Sequence, residues 1–297
     1  MNTPRIRDEI EILPVTLLQE QRPLVDELRL LASSLKLDFG WHYLLDLVWI
    51  ISRLGQARDK RIIDAGAGTG VMQWYLAEQG AEVISVDRAS RADLPLRFRR
   101  RFRVRGMRQA LLPDLNPAAQ TVMNSLSRSP RSITRQAREL GGYLFTQRAS
   151  GDVVIYNQDL LSLVDIPDAS VDAVVSVSAL EHNPPEDLPC VVEELQRVIK
   201  PGGALLATLG AARDRDWFHE PSSGWCYTEA SLCRLFGLSP STPSNYDRFD
   251  ALFQSLRDCP ELRDNLARFY FNSGDNGMPW GKWNPQYKPV GICKLIR

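Results

Sequence analysis

Apolar and polar positions follow two rhythms along this chain. Leu24, Leu28, Leu31 and Leu35 recur at helical spacing after Pro23, and Gly40 ends that stretch. Trp41 to Leu54 repeats the spacing, with Asp38 placed as its cap, so residues 1–58 are predicted helical throughout. From residue 61 onward the apolar residues instead come in short runs: Ile62-Ile63, Glu82 to Val86, Val153 to Tyr156, Ala173 to Val177 and Ala204 to Thr208, with Val290 to Ile296 closing the chain. Helical segments lie between several of them, such as Cys190 to Lys200 with Val191, Val192, Leu195, Val198 and Ile199 on one face. The run at Ala173 is continuous rather than alternating, as a parallel strand covered on both faces requires. Strands alternating with helices predict an α/β fold with a doubly wound, mostly parallel sheet.

The chemistry begins where the first run ends. Ile62-Ile63 leads into Asp64, Ala65 and three alternating glycines, Gly66, Gly68 and Gly70, and then into a helical stretch apolar at Val71, Met72, Tyr75 and Leu76. Glycines let the backbone turn and let a ligand lie against it, and the helix after them offers unpaired N–H groups at its positive end. Nicotinamide enzymes carry a similar loop, but Val71 stands where their fingerprint asks for Gly or Ala. Asp87 ends the second run, where a carboxylate can hold both hydroxyls of a ribose.

These motifs resemble those of the class I S-adenosylmethionine-dependent methyltransferases. The resemblance rests on the acid-x-Gly-x-Gly-x-Gly of Asp64 to Gly70, on Ile166 to Asp172 leading into a buried strand, and on a helix followed by Lys200-Pro201-Gly202-Gly203 and another strand. It covers roughly residues 60 to 87 and 152 to 210. It implies a Rossmann-like, seven-stranded sheet and S-adenosyl-L-methionine as cofactor. Asp64, Ala65, Gly66 and Gly68 would line the methionine portion, and Asp87 with Arg88 the ribose. Asp159 with Leu160 would meet the adenine, and Ser178 would face the donor. An NAD-dependent oxidoreductase would leave Asp159 and the Pro-Gly-Gly turn unexplained.

Ser178-Ala-Leu-Glu181-His182 comes after the fourth run, at the sheet edge where ligands of open parallel sheets bind. His182 has the right ordinary pKa to take a proton from a hydroxyl acceptor, and His219 is the second candidate base; Glu181 and His182 could equally just order their loop. Some relatives hold a metal with Glu-x-x-Glu-His; Ser178 replaces the first Glu here, and no metal is expected. His42 and Tyr43 either pack a helix on the sheet or line the pocket. Trp217, Trp225, Trp280 and Trp283 either form an apolar acceptor pocket or staple loops to the core.

Composition adds two constraints. Lys plus Arg and Asp plus Glu are both 36, yet residues 88–150 hold fourteen arginines, no lysine and three acids. This insert either grips an anionic acceptor or pairs with acids of the core. A nucleic-acid methyltransferase using the insert is the alternative, but the basic block lacks any recognised RNA-binding module. The five scattered cysteines fit neither a zinc nor a disulfide framework, and no run is long enough to span a bilayer, so a cytoplasmic protein is expected. The expectation is therefore one domain over 1–297: a helical cap (1–58), an arginine-rich helical insertion (88–150) and an acceptor-binding region (209–289). It would methylate a small molecule, at a hydroxyl oxygen. The oligomeric state is not legible.

Overall fold

The computed structural model describes residues 7–108, 114–128, 149–264 and 282–297. Arg131, Arg135, Arg138, Arg148, Trp280 and the end of the helix expected up to Phe271 lie outside these residues. The chain forms two compact units, Gln56–Leu160 and Met1–Gly55 with Leu161–Arg297.

In the unit Gln56–Leu160, four strands run parallel: β2 (Arg61–Ala65), β3 (Glu82–Asp87), β4 (Arg103–Gly106) and β5 (Asp152–Asn157), in the order β2-β3-β5-β4. Register aligns Ala65 with Val86 and Asp87 with Asn157, so the three strands end at one edge. Helix α4 (Val71–Glu78) packs on β3 and β5. Its Trp74 is fully buried and stacks on Phe98 of α5 (Leu96–Arg101), centroids 4.6 Å apart, with Phe102 at 4.9 Å. The insertion expected to be helical is therefore mixed. It contributes α5 and α6 (Ala118–Arg128), but Arg103-Val-Arg-Gly106 adds β4 to the sheet edge. Its alternation of exposed arginines with less exposed residues is a strand pattern that the arginine count obscures.

The other unit opens with a strand where a helix was expected. Glu9-Ile10-Glu11-Ile12 forms β1, with both isoleucines buried and both glutamates partly exposed. Period-two alternation over four residues was too short to stand out against the helical pattern beyond it. Strand β1 pairs antiparallel with β10 (Lys288–Leu295), β10 antiparallel with β7 (Ile199–Ala211), and β7 parallel with β6 (Val171–Val177). The short β8 (Trp217–His219) and β9 (Gly224–Tyr227) extend from β7. The free side of β1 is closed by the 243–245 loop: Ile10 N donates to the Pro243 carbonyl, Ile12 N to Asn245 Oδ1, and Asn245 Nδ2 to the Ile12 carbonyl.

Helix α1 is one turn (Leu17–Glu20). Helix α2 (Arg22–Leu35) starts on Pro23 and stops where Lys36 turns left-handed, φ 52°. Helix α3 (Tyr43–Leu54) begins at His42 rather than at Asp38, and buries Asp46 among eight apolar residues. It lies against β6, β7 and β10. Gly291 admits it: a Cβ there would stand 2.5 Å from the Trp49 ring. Helices α7 (Leu188–Arg197), α8 (Glu229–Phe236), α9 (Phe249–Arg257) and α10 (Pro260–Asp264) complete the unit, α8 capped by Thr228 Oγ1 accepting from Ser231 N. Ten strands, mostly parallel, are thus present among the described residues, the expected core with short strands added at edges. This is the expected Rossmann-like α/β fold.

Candidate active site

The expected site residues fall into two sets, one in each unit. In Gln56–Leu160, strand β2 delivers Asp64 and Ala65 to the loop Gly66–Gly70. Gly66 and Gly68 take positive φ, 73° and 48°, and Gly66 N and Ala67 N both donate to the Val86 carbonyl. Asp87, at the end of β3, ties this loop to the turn after β3. Its Oδ2 accepts from Gly68 N at 2.8 Å and its Oδ1 from Ala89 N at 2.7 Å. Arg88 pairs with Asp159 at 3.6 Å, both substantially exposed, and Leu160 beside it is buried. The expected cofactor residues Asp64, Ala65, Gly66, Gly68, Asp87, Arg88, Asp159 and Leu160 thus gather at the carboxyl ends of β2, β3 and β5.

Arg91 is one arginine among fourteen in the insert, and no local pattern marks it out. It is 5% exposed and donates to Ser85 Oγ, the Ser85 carbonyl and the Tyr156 carbonyl. Asp64 is buried, its Oδ2 has no partner among the described residues, and burial pushes its carboxyl up to about 7 against the pull of Arg91. Other described arginines of the insert have partners in the same unit: buried Arg99 donates to the Asn116 and Ala92 carbonyls, Arg101 pairs with Glu78, and the exposed Arg103 and Arg105 pair with Asp152 and Glu82. These described arginines pair with the unit's own acids and carbonyls.

In the other unit a cleft enclosing roughly 400 Å³, open solvent included, lies between the start of α3, the end of β6 and strand β9. Ser178 and His182 line it; His219 does not. Ser178 adopts φ 46°, its N donates to the Thr208 carbonyl, and its Oγ donates to Glu181 Oε1 at 2.5 Å. Glu181 is 5% exposed, and its Oε2 has no partner among the described residues. Burial raises its carboxyl pKa. Exposed His182 places Nδ1 3.0 Å from the Ser223 carbonyl, which can only accept. Nδ1 therefore holds the proton, and Nε2 is the basic nitrogen. Gly224 leaves room for both, since a Cβ there would meet Glu181 Cγ at 3.2 Å and His182 Cε1 at 3.5 Å. His219 is buried, its Nδ1 2.6 Å from Ser222 Oγ and its ring 5.0 Å from that of Tyr287; burial lowers its pKa.

A second buried chain reaches the same cleft. His42 sits at 2.5 Å from Asp46 through Nδ1 and at 3.1 Å from Tyr287 OH through Nε2. Trp41, Tyr43, Trp225 and Tyr287 are the aromatic walls. Of these residues, Asp46 and Tyr287 were not expected from the sequence. Asp46 had a signal, four residues from His42 on one helix. Tyr287, 245 residues away, had none. Among the described residues, no group of three or more His, Cys, Asp or Glu could hold a metal, and no helix is long and apolar enough to cross a membrane.

Residues 106–207, about a third of the chain, match the family described as Methyltransferase domain. The match starts beyond the glycine loop, so that loop and the family match are independent observations. Over that third of the chain the match is to a methyltransferase domain, which supports the resemblance to the class I S-adenosylmethionine-dependent methyltransferases. No curated protein matches the chain. Among solved structures, the chain is similar to the [4+2]-cyclase SpnF, at 17% identity over 98% of this chain and 100% of that one, TM-score 0.49. It is similar also to geranyl diphosphate C-methyltransferase from Streptomyces coelicolor A3(2), solved with Mg2+, geranyl diphosphate and S-adenosyl-L-homocysteine (16%, 83% and 75%, TM-score 0.44). A third is 1,6-didemethyltoxoflavin-N1-methyltransferase from Burkholderia thailandensis (15%, 84% and 76%, TM-score 0.41). None of these likenesses assigns an acceptor.

The residues of the methyltransferase fit its cofactor, S-adenosyl-L-methionine. Left-handed glycines leave the loop bare of side chains on that face, and Asp87 keeps lone pairs free after binding two N–H groups, since a carboxylate accepts about four hydrogen bonds. The buried, unpartnered Asp64 Oδ2 is an acceptor still without a donor. When bound, the cofactor supplies a sulfonium methyl open to in-line attack.

Proposed function

We propose that this methyltransferase transfers its methyl group to a hydroxyl oxygen of a small molecule held in the cleft at the start of α3. The observation that carries this reading is the orientation of His182. Its Nδ1–H is held by the Ser223 carbonyl, so Nε2 is left as a base in a cleft with aromatic walls. Displacement at a sulfonium methyl needs alignment of donor and acceptor and, for a hydroxyl, removal of its proton. His182 supplies the second. His219 is the weaker candidate, since it lies outside the cleft lining. On the cofactor side, Gly66 and Gly68 with Asp64 and Ala65 would hold the methionine portion, Asp87 and Arg88 the ribose, and Asp159 and Leu160 the adenine. Ser178, which buttresses Glu181, would act on the acceptor side.

The test uses methyl-labelled S-adenosylmethionine with a whole-cell extract split into small-molecule, protein and nucleic-acid fractions. Label is expected in the small-molecule fraction as an ether that survives mild alkali, and His182→Ala is expected to lose it while retaining S-adenosylhomocysteine binding. Label confined to nucleic acid or protein would overturn the reading and favour the arginine-rich insert as a macromolecular grip.

A further inference from the structure

The cleft's charge points to a particular class of acceptor. Of the described residues around it, Glu181 is the only carboxylate, and none is lysine or arginine. Glu181 is 5% exposed, and only one of its oxygens is used, by Ser178 Oγ. The other, Oε2, has no partner among the described residues. A buried acceptor atom left unpaired costs stability, and a charged one costs more than a neutral one. Removing Ser178 would deepen that cost, so the serine reads as a support that holds the carboxyl toward the cleft. The walls around it are rings of Trp41, Tyr43, Trp225 and Tyr287, whose faces attract cations. A carboxylate inside an aromatic enclosure lined by two histidines but by no lysine or arginine is the reverse of an anion site.

We propose that the cleft binds an acceptor bearing an organic ammonium group, which pairs with Glu181 Oε2 between these aromatic walls. This rests on the reading of the cleft as the acceptor site. It replaces an anionic acceptor gripped by the arginine insert, whose described arginines Arg99, Arg101, Arg103 and Arg105 already have internal partners. The ammonium is a handle and not the methylated atom, because a protonated nitrogen has no lone pair to attack with. The hydroxyl that His182 serves is a separate group on the same molecule. A bound cation would favour the charged form of Glu181, against the burial that raises its pKa.

The experiment measures binding of three phenols by calorimetry to the S-adenosylhomocysteine complex: tyramine, the neutral 4-ethylphenol and the anionic 3-(4-hydroxyphenyl)propanoate. Tyramine is expected to bind about tenfold or more tighter than 4-ethylphenol, the ratio of one charge-assisted hydrogen bond, with the propanoate weakest. Glu181→Gln is expected to erase that preference without changing S-adenosylhomocysteine affinity. Equal binding of the three phenols, absence of binding by all three, or a preference that survives in Glu181→Gln would each overturn the proposal. Labelling of the cell extract is read on methyl transfer alone, so the two readings fail separately.

Discussion

Asp46 Oδ2 lies 2.5 Å from His42 Nδ1 across the first turn of α3, with His42 2% and Asp46 0% exposed. A carboxylate only accepts, so Nδ1 carries the proton and Nε2 accepts from Tyr287 OH. The hydroxyl proton of Tyr287 is thereby committed inward, and its lone pairs remain for a group in the cleft. The pair is asymmetric in what each partner leaves behind. His42→Ala strands a buried carboxylate and should cost about 3–5 kcal/mol. Asp46→Ala strands an N–H and should cost about 1–3 kcal/mol. Urea unfolding of both singles and the double variant measures this. A double variant whose cost equals the sum of the singles would show that the two side chains do not stabilise one another.

Asp87 ties the glycine loop to the end of β3 through Gly68 N and Ala89 N. Asp87→Ala removes both acceptors and leaves Gly68 at φ 48° without its tether. The expected result is at least a tenfold loss of S-adenosylhomocysteine affinity by calorimetry, with the circular dichroism of the fold retained. Unchanged affinity would place the ribose elsewhere.

The glycine loop, Asp87 and Asp159 were legible because each rule that marks them is local: a turn needs glycine, and a strand end needs its acid. The cleft was not, because its parts come together only in the fold. Glu181 and His182 lie just past β6, Trp41 to Tyr43 lie at the start of α3, and Tyr287 precedes β10. Chain order gives no measure of such convergence. The insert left two alternatives open for a different reason. Composition counted its charges but not their partners, and Glu78, Glu82 and Asp152, which take up Arg101, Arg105 and Arg103, lie outside it.

Those pairings make a prediction about the insert. Arg99 is 4% exposed and donates to the Asn116 and Ala92 carbonyls, so it binds the start of the insert to its middle. Arg101 is partly exposed beside Glu78. Arg99→Ser should destabilise by about 2 kcal/mol, as loss of hydrogen bonds from a buried charge does. Arg101→Ser should cost at most about 1 kcal/mol, the range of an exposed pair. Urea midpoints compare them directly. Equal, negligible costs would free both arginines for the anion-gripping role that the sequence suggested.

Asp64 makes stability depend on pH with a definite sign. Burial raises its carboxyl from an ordinary 3.8 to about 7, more than Arg91 lowers it. Between those values the folded protein holds a proton that the unfolded chain has released. Stability must therefore fall as pH rises from about 4 to about 7, because the slope follows the difference in bound protons. The whole drop is on the order of 4 kcal/mol, from about three units at 1.36 kcal/mol each. Asp64→Asn keeps the shape and removes the titration. Subtracting its unfolding free energy from that of the wild type at each pH isolates this one group from the other acids. The difference should decline across that window and be flat above it, leaving Asn the more stable at pH 8. A difference that rises with pH instead would show Asp64 ionised throughout and held by Arg91, with burial the smaller effect.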